Sequence, residues 1–349
     1  MKKIIVPLFI ISLFSLVTMA SISSALFWSQ LAWYILGFAI IAFFIFFDWH
    51  LLFGYRWLIW GIYLFSILLL VAVYFLPSVR GTHSWIIFGP VHFQPVELAK
   101  VALILAYASY FSSRHLKINH LRIIIESFFI ALVPAALVFF EPALGSASVL
   151  IIIWFGFLLI SGLSPKKIII SFLVFAILAI FSWQFMLKDY QKQRVLNFVH
   201  PEQNNLTYNY NVIQSKIAIG SAGFFGKGFN QGPQVKLGFL PEPESDFAFA
   251  AFMEQWGLLG GLILILAFSY LNFQILKIGE QSNQNFKKFI CLGAVIIFSW
   301  QFLLNMGSET GILPAVGINF PLLSYGGTSL LTSFFLVAII NAIGREFQT

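Results

Sequence analysis

Seven of the thirteen acidic residues map to one side of the apolar segments, at their ends or in the loops beside them: Glu97, Glu141, Glu242, Glu244, Asp246, Glu254 and Glu309. An ionisable group at membrane depth costs roughly 2.5 to 3.5 kcal/mol or more, so such groups face a protein interior or a wet cavity and often carry function. Asp246 is the sharpest candidate. It follows Pro241 and Pro243 and precedes Phe247-Ala248-Phe249, where polar chain gives way to an apolar run. A carboxylate there can act as a general base, worth about 10² to 10⁴-fold in rate, or ligate an ion bound to a phosphate. The blander alternative is a helix N-cap, worth about 0.5 to 2 kcal/mol. Glu242 and Glu244 either join Asp246 or stand in head-group water.

Glu97 and Lys100 are three residues apart in Val-Glu-Leu-Ala-Lys-Val and share one helix face. They are either a self-neutralising pair or the floor of a cavity framed by Gly81, Trp85, Gly89, Pro90 and Pro95, where a cation would suit a pyrophosphate. Glu141-Pro142 followed by Leu144-Gly145-Ser146 should break the chain between two apolar segments, as should Asn305-Met306-Gly307 through Pro321 and Ser324-Tyr325-Gly326-Gly327-Thr328-Ser329. Non-helical backbone at that depth is tolerated when buried in protein or lining a wet cavity. In Asn211–Gly220, Val212, Ile213, Ile217 and Ile219 are expected to enter the membrane interface, with Asn211, Gln214, Ser215 and Lys216 facing water or a ligand. Gly220, Gly223, Gly226, Gly228 and Gly232, with Lys227 among them, read as a flexible turn region open to phosphate. The stretch lacks the strand, helix and Gly-Lys-Ser/Thr ending of a nucleotide-binding loop.

The elements that must position these residues are membrane helices. Hydrophobic residues make up 60% of the chain and charged residues 9%, a composition for which lipid is the solvent. With about 20 apolar residues per crossing, about ten spans are expected, near 4–21, 25–47, 53–76, 95–112, 122–140, 144–162, 168–187, 247–273, 287–306 and 321–343. The chain therefore reads as one all-α polytopic membrane domain over 1–349, with a long external loop at about 188–246 between the seventh and eighth spans. Placing the N-terminus inside puts Lys2, Lys3, Arg56, Arg114, Lys117, Arg122, Lys166, Lys167, Lys277, Lys287, Lys288 and Arg345 in the cytoplasm and leaves only Arg80 in a short external connection, as the positive-inside rule asks. Both termini are then cytoplasmic and the carboxylates external. Residues 2–25 also read as a cleavable signal segment, with Ser23 and Ala25 at the small-residue positions; an uncleaved first span is the expectation.

Cys291 is the only cysteine, so a disulfide framework and a thiolate metal site are excluded. The six histidines show no ligand spacing, and His115 and His120 fall in a basic loop. The net charge of +7 is accounted for by cytoplasmic loops against anionic lipid, which argues against a nucleic-acid partner.

Several motifs together resemble one family, the SEDS (shape, elongation, division and sporulation) peptidoglycan glycosyltransferases, and within it the RodA branch. They are Phe93-Gln94-Pro95-Val96-Glu97-Leu98-Ala99-Lys100, Gln214-Ser215-Lys216-Ile217-Ala218-Ile219-Gly220, Gly226-Lys227-Gly228, Gly238-Phe239-Leu240-Pro241-Glu242, Ser245-Asp246-Phe247 and Ser324-Tyr325-Gly326-Gly327-Thr328-Ser329, spread in order over most of the chain. The resemblance implies polymerisation of lipid II into glycan strands at the outer face of the cytoplasmic membrane, for cell elongation and rod shape. Asp246 would be the catalytic carboxylate, and Glu97, Lys100, Gln214, Ser215, Lys216, Lys227, Glu242, Ser324, Tyr325, Gly326, Gly327 and Thr328 would contact substrate. It also implies a class B penicillin-binding protein and the elongation machinery as partners. No organic cofactor is called for; Mg²⁺ or Mn²⁺ is the ion to consider, with Asp246, Glu242 and Glu244 as candidate ligands. Three positions depart from the family pattern. Ala143 stands where an acid is common, with Glu141 as its nearest substitute; Ser84 stands where a basic residue is usual; Glu244-Ser245 replaces His-Thr before Asp246.

The rival readings are a flippase or transporter for a lipid-linked sugar, a non-catalytic scaffold for cell-wall enzymes, and an FtsW-like division polymerase. A transporter predicts ionisable groups along the whole membrane depth, whereas these gather at one side.

Overall fold

A computed structural model describes residues 2–47, 54–77, 82–89, 91–114, 120–199 and 206–347. Arg80, Gly81, Pro90, His115 and Lys117 lie outside the described residues. Each apolar segment forms a helix. In chain order they are α1 (Lys2–Ile22), α2 (Ser24–Phe46), α3 (Arg56–Ala72), α4 (Pro95–Ser112), α5 (Leu121–Phe140), α6 (Leu144–Ile160), α7 (Pro165–Phe185), α11 (Ala248–Gln281), α12 (Asn285–Thr310) and α13 (Gly327–Arg345). Eight are long and apolar enough to cross a membrane; α6 is apolar but shorter. The remaining one, α4, is the axis of the bundle.

Every residue of α4 except Leu98 and Ser112 is buried. A helix apolar all round belongs in a core, and here α3, α6 and α12 pack around it. Tyr107 and Phe111 of α4 meet Phe157 of α6 at 5.3 and 5.9 Å, and Phe157 stacks on Phe289 of α12 at 5.8 Å. Each such pair contributes about 0.5 to 1.5 kcal/mol beyond its buried area. Ser127 of α5 supplies the polar node, accepting from Tyr107 Oη through its carbonyl (2.7 Å) and from Trp154 Nε1 through its hydroxyl (3.0 Å). The segment before α4 folds into an antiparallel pair, β1 (Ile86–Phe88) with β2 (Val91–Phe93), in which Ile87 faces His92.

Two expected helix boundaries move. The apolar run from 321 becomes helical only at Gly327, and α12 continues through Asn305-Met306-Gly307 to Thr310. Gly311 ends it in the left-handed region at φ +73°, where glycine has no Cβ to clash.

The stretch 188–246 carries three helices of its own, α8 (Asp189–Val199), α9 (Leu206–Ser221) and the single turn α10 (Pro233–Lys236). It is sewn to α11 at a break in that helix. Gly257 has φ +65° and ψ −165°, which interrupts the hydrogen-bond ladder. The orphaned groups are taken up by the 223–228 loop: Lys227 N donates to Glu254 O (2.9 Å), Gly228 N to Gln255 O (3.0 Å), Leu258 N to Gly223 O and Leu259 N to Phe224 O (both 3.0 Å). Only glycine allows the approach, since a Cβ at Gly226 would lie 2.1 Å from Gln255 O and one at Gly257 2.2 Å from Gly226 N.

Candidate functional site

Asp246 lies one residue before the N-cap of α11, at a half-buried position. Its backbone is fixed by α12: Asn305 Nδ2 donates to Asp246 O at 3.0 Å and to Ile318 O at 2.9 Å, joining the start of α11 to the 311–326 connection. Its carboxylate lies over Gly317, where a Cβ would come within 3.1 Å of Oδ2. The backbone around it is strained, since Glu242 (φ +47°) and Leu322 (φ +65°) occupy the left-handed region. Such residues cost about 1 to 3 kcal/mol each and persist only where their surroundings over-determine them.

Those surroundings come from the first two helices and the Ser324 loop. Tyr34 Oη donates to Leu322 O at 2.5 Å, Ser15 Oγ to Leu323 O at 2.6 Å, and Gln30 Nε2 to Ser15 Oγ at 3.0 Å and Ser324 O at 3.3 Å. Ser324 Oγ donates to Ser245 O (2.7 Å) and accepts from Phe320 N (2.9 Å), and Tyr325 N donates to Glu244 O (2.7 Å). Ser324, expected to contact substrate, is therefore buried and spent on clamping the Asp246 loop to the 320–326 turn. Gly326 and Gly327 permit close packing: a Cβ at Gly326 would meet Asn319 Nδ2 at 2.7 Å, and one at Gly327 the Trp33 ring at 2.4 Å. Thr328 is buried in the first turn of α13.

Two carboxylates that the sequence placed near the site turn out to cap helices from a distance. Glu309, fully buried at the end of α12, accepts from Ala250 N in the first turn of α11 at 2.5 Å. The N-cap residue of α11 is Phe247, whose side chain cannot perform that task. Glu254, also fully buried, accepts from Gln234 N (2.8 Å) and Val235 N (3.2 Å) at the start of α10. A signal for the second was present, because Gly232-Pro233 opens a turn with no side chain to cap it. No comparable signal points to Glu309, whose partner lies 59 residues away.

Glu97 and Lys100 form the pair their spacing predicts, with Nζ 2.6 Å from Oε1 and both side chains buried in the first two turns of α4. Thr332 Oγ1 of α13 stands 3.5 Å from Glu97 Oε2. Gln214 is half-buried and Lys216 exposed on α9, and the Lys216 ammonium passes over Gly311 at the C-terminus of α12, where a helix end favours positive charge. Ser215, expected to face water or ligand, is instead fully buried and donates to Glu309 O at 2.9 Å. It holds α9 on α12. The glycine stretch around Lys227 is likewise not an open phosphate turn, because the Lys227 and Gly228 N–H groups are bound to α11; the Lys227 side chain is exposed. Glu242 is half-buried, its carboxylate 3.5 Å from Ser245 Oγ.

Glu141, at the end of α5, is buried beside Ser84, and burial pushes its carboxyl up to about 7 against the opposing effect of the Ser84 hydroxyl. Two of the departures from the family pattern thus meet in space. The turn that carries Glu141 packs on the 316–318 segment, since a Cβ at Gly145 would lie 2.7 Å from Val316 O. Among the described residues no three His, Cys, Asp or Glu side chains converge as a metal cage.

The whole chain, residues 1–349, matches the FtsW/RodA/SpoVE model, described as cell cycle protein. It is 36% identical over 283 residues to the peptidoglycan glycosyltransferase MrdB of Escherichia coli K12, covering 81% of this chain and 76% of the relative. It is 32% identical over 295 residues to the probable peptidoglycan glycosyltransferase FtsW of Buchnera aphidicola subsp. Schizaphis graminum, covering 83% and 82%. Among solved structures it resembles a chain from a peptidoglycan synthase complex that coordinates polymerization and crosslinking (TM-score 0.85, 26% identity, 99% and 98% covered). It shares the fold of Thermus thermophilus rod shape determining protein RodA (TM-score 0.73, 22% identity, 98% and 96% covered). With the family model matched end to end and curated relatives aligned over most of their length, this multi-pass membrane chain belongs to the FtsW/RodA/SpoVE family.

Proposed function

We propose that the chain is a RodA-type peptidoglycan glycosyltransferase that polymerises lipid II at the outer face of the cytoplasmic membrane. The observation that carries this reading is Asp246 itself: a half-buried carboxylate over the Gly317 backbone, on a loop fixed by Asn305, Ser324 and Tyr325. In the reaction, a sugar hydroxyl of the acceptor attacks the anomeric carbon of the donor, and the C–O bond to the polyprenyl pyrophosphate breaks. Asp246 takes the hydroxyl proton as general base, a task that needs a carboxylate held still at a site reached by both lipid-linked substrates. Lys216, exposed beside Gly311, offers positive charge on the same side of the bundle for the leaving pyrophosphate. The buried Glu97–Lys100 pair ties α4 to α13 through Thr332. A divalent ion, if one assists, would take most of its ligands from phosphate and water, as Mg²⁺ commonly does.

The basic loops set the orientation, with both termini cytoplasmic and Asp246 outside. A class B penicillin-binding protein is the partner we assign to this polymerase, because a solved structure it resembles at 26% identity is a chain of a peptidoglycan synthase complex that coordinates polymerization and crosslinking. The test is purified protein with labelled lipid II, with and without that partner. Asp246→Asn keeps the side-chain volume and capping ability but cannot act as a base, and should lower the rate by about 10² to 10⁴-fold. Wild-type rates from Asp246→Asn would end the catalytic assignment. Lipid II crossing a bilayer with no glycan formed would instead identify a flippase.

A further inference from the structure

We propose that the 223–229 loop is a bilayer anchor, seating Phe224, Phe225 and Phe229 in the membrane interface beside the break in α11. The inference rests on where lipid begins along that helix, and is independent of the catalytic role of Asp246. All of 248–255 is buried within the protein, and the first exposed side chain is Trp256. From there an exposed apolar stripe runs through Leu259, Leu262, Leu266, Tyr270 and Phe273 at helical spacing. The next exposed residue on the chain is Lys277.

From Trp256 to Lys277 the chain rises 21 steps, which at 1.5 Å each spans about 32 Å, close to the roughly 30 Å hydrocarbon thickness of a bilayer. Tryptophan at one boundary and lysine at the other is the residue pair expected at membrane interfaces. The first eight residues of α11, about 12 Å of helix, then stand beyond the hydrocarbon.

The loop is held at that boundary by backbone hydrogen bonds whose partners run from Glu254 to Leu259. Phe224 and Phe225, ring centroids 4.9 Å apart and edge-on, are 55% and 73% exposed, and Phe229 is 47% exposed. Lys227, also exposed, lies between them in sequence. Aromatic rings with a neighbouring cation, level with the start of a lipid-facing stripe and continuous with it, fit the head-group and upper acyl region of a bilayer. In water the same rings would form an apolar patch with no counterpart.

The test uses the full chain carrying Cys291→Ala, which removes the single, buried cysteine. A nitroxide is attached at Phe225→Cys and, in separate proteins, at Phe229→Cys and at Leu266→Cys as the lipid-facing reference. After reconstitution into phosphatidylethanolamine and phosphatidylglycerol bilayers, collision rates with oxygen and with a water-soluble nickel chelate are measured. Labels at Phe225 and Phe229 should collide more with oxygen than with the chelate, at a depth shallower than the label at Leu266. Greater access to the chelate would place the loop in water, and low access to both reagents would place it under protein; either result overturns the anchor. A purified chain that makes no glycan leaves these readouts unchanged.

Discussion

Asn305 Nδ2 bonds two carbonyls at once, Asp246 O at 3.0 Å and Ile318 O at 2.9 Å, so one side chain of α12 sets the position of the candidate base and of the connection that faces it. Asn305 is fully buried. Asn305→Leu should leave two carbonyls without their donor, costing about 1 to 3 kcal/mol each, and should reduce lipid II turnover more than it raises KM. Thermal unfolding with steady-state kinetics checks both; unchanged kcat would show that Asp246 is positioned without Asn305.

The Glu97–Lys100 pair should behave as a buried ion pair. Lys100→Met alone leaves a buried carboxylate, a change that typically costs about 3 to 5 kcal/mol. The double variant Glu97→Gln, Lys100→Met should recover most of that stability. If it also recovers turnover, the pair serves packing only, whereas a stable but slow double variant assigns it to substrate or to ordering of the cavity. Melting curves and turnover for the four proteins of the cycle decide.

Burial raises the Glu141 carboxyl from its ordinary 4.5 to about 7. The folded chain therefore holds this proton more tightly than the unfolded chain, so the stabilisation is full below about pH 4.5 and is lost as pH rises through about 7. A shift of that size corresponds to a few kcal/mol, on the order of 3. Glu141→Gln should flatten this part of the stability profile, matching wild type near pH 5 and exceeding it near pH 8. The midpoint of unfolding measured across that range is the check, and parallel profiles for the two proteins would refute it.

The break in α11 supplies a fourth test. Gly257→Ala combines a positive φ with a Cβ 2.2 Å from Gly226 N, so it should destabilise by more than about 2 kcal/mol. Gly61→Ala in α3 has open space around it and should be neutral or slightly stabilising. Thermal midpoints for the two variants compare them directly.

The apolar segments, the Glu97–Lys100 pair and the place of Asp246 at a helix entrance were legible because each depends on near neighbours in sequence. Hydropathy marks a span, and a spacing of three puts two side chains on one face. What stayed hidden depends on distant partners. Nothing local tells that Ser324 will bond Ser245, that Ser215 will bond Glu309 O, or that the Lys227 and Gly228 amides will complete a broken helix. Glycines alone looked like a loose loop, whereas two of them face each other at a distance no Cβ tolerates.

The long reach of these contacts also orders events during synthesis. Asn305 and Ser324 emerge 59 and 79 residues after the positions they hold, Asp246 and Ser245, and Glu309 emerges 59 residues after Ala250. When α11 first enters the membrane, its opening turn lacks its carboxylate cap and Asp246 lacks its brace. A nascent chain can thus insert most of its helices before the start of α11 acquires its cap and its brace, which arrive only with α12 and the turn that leads into α13.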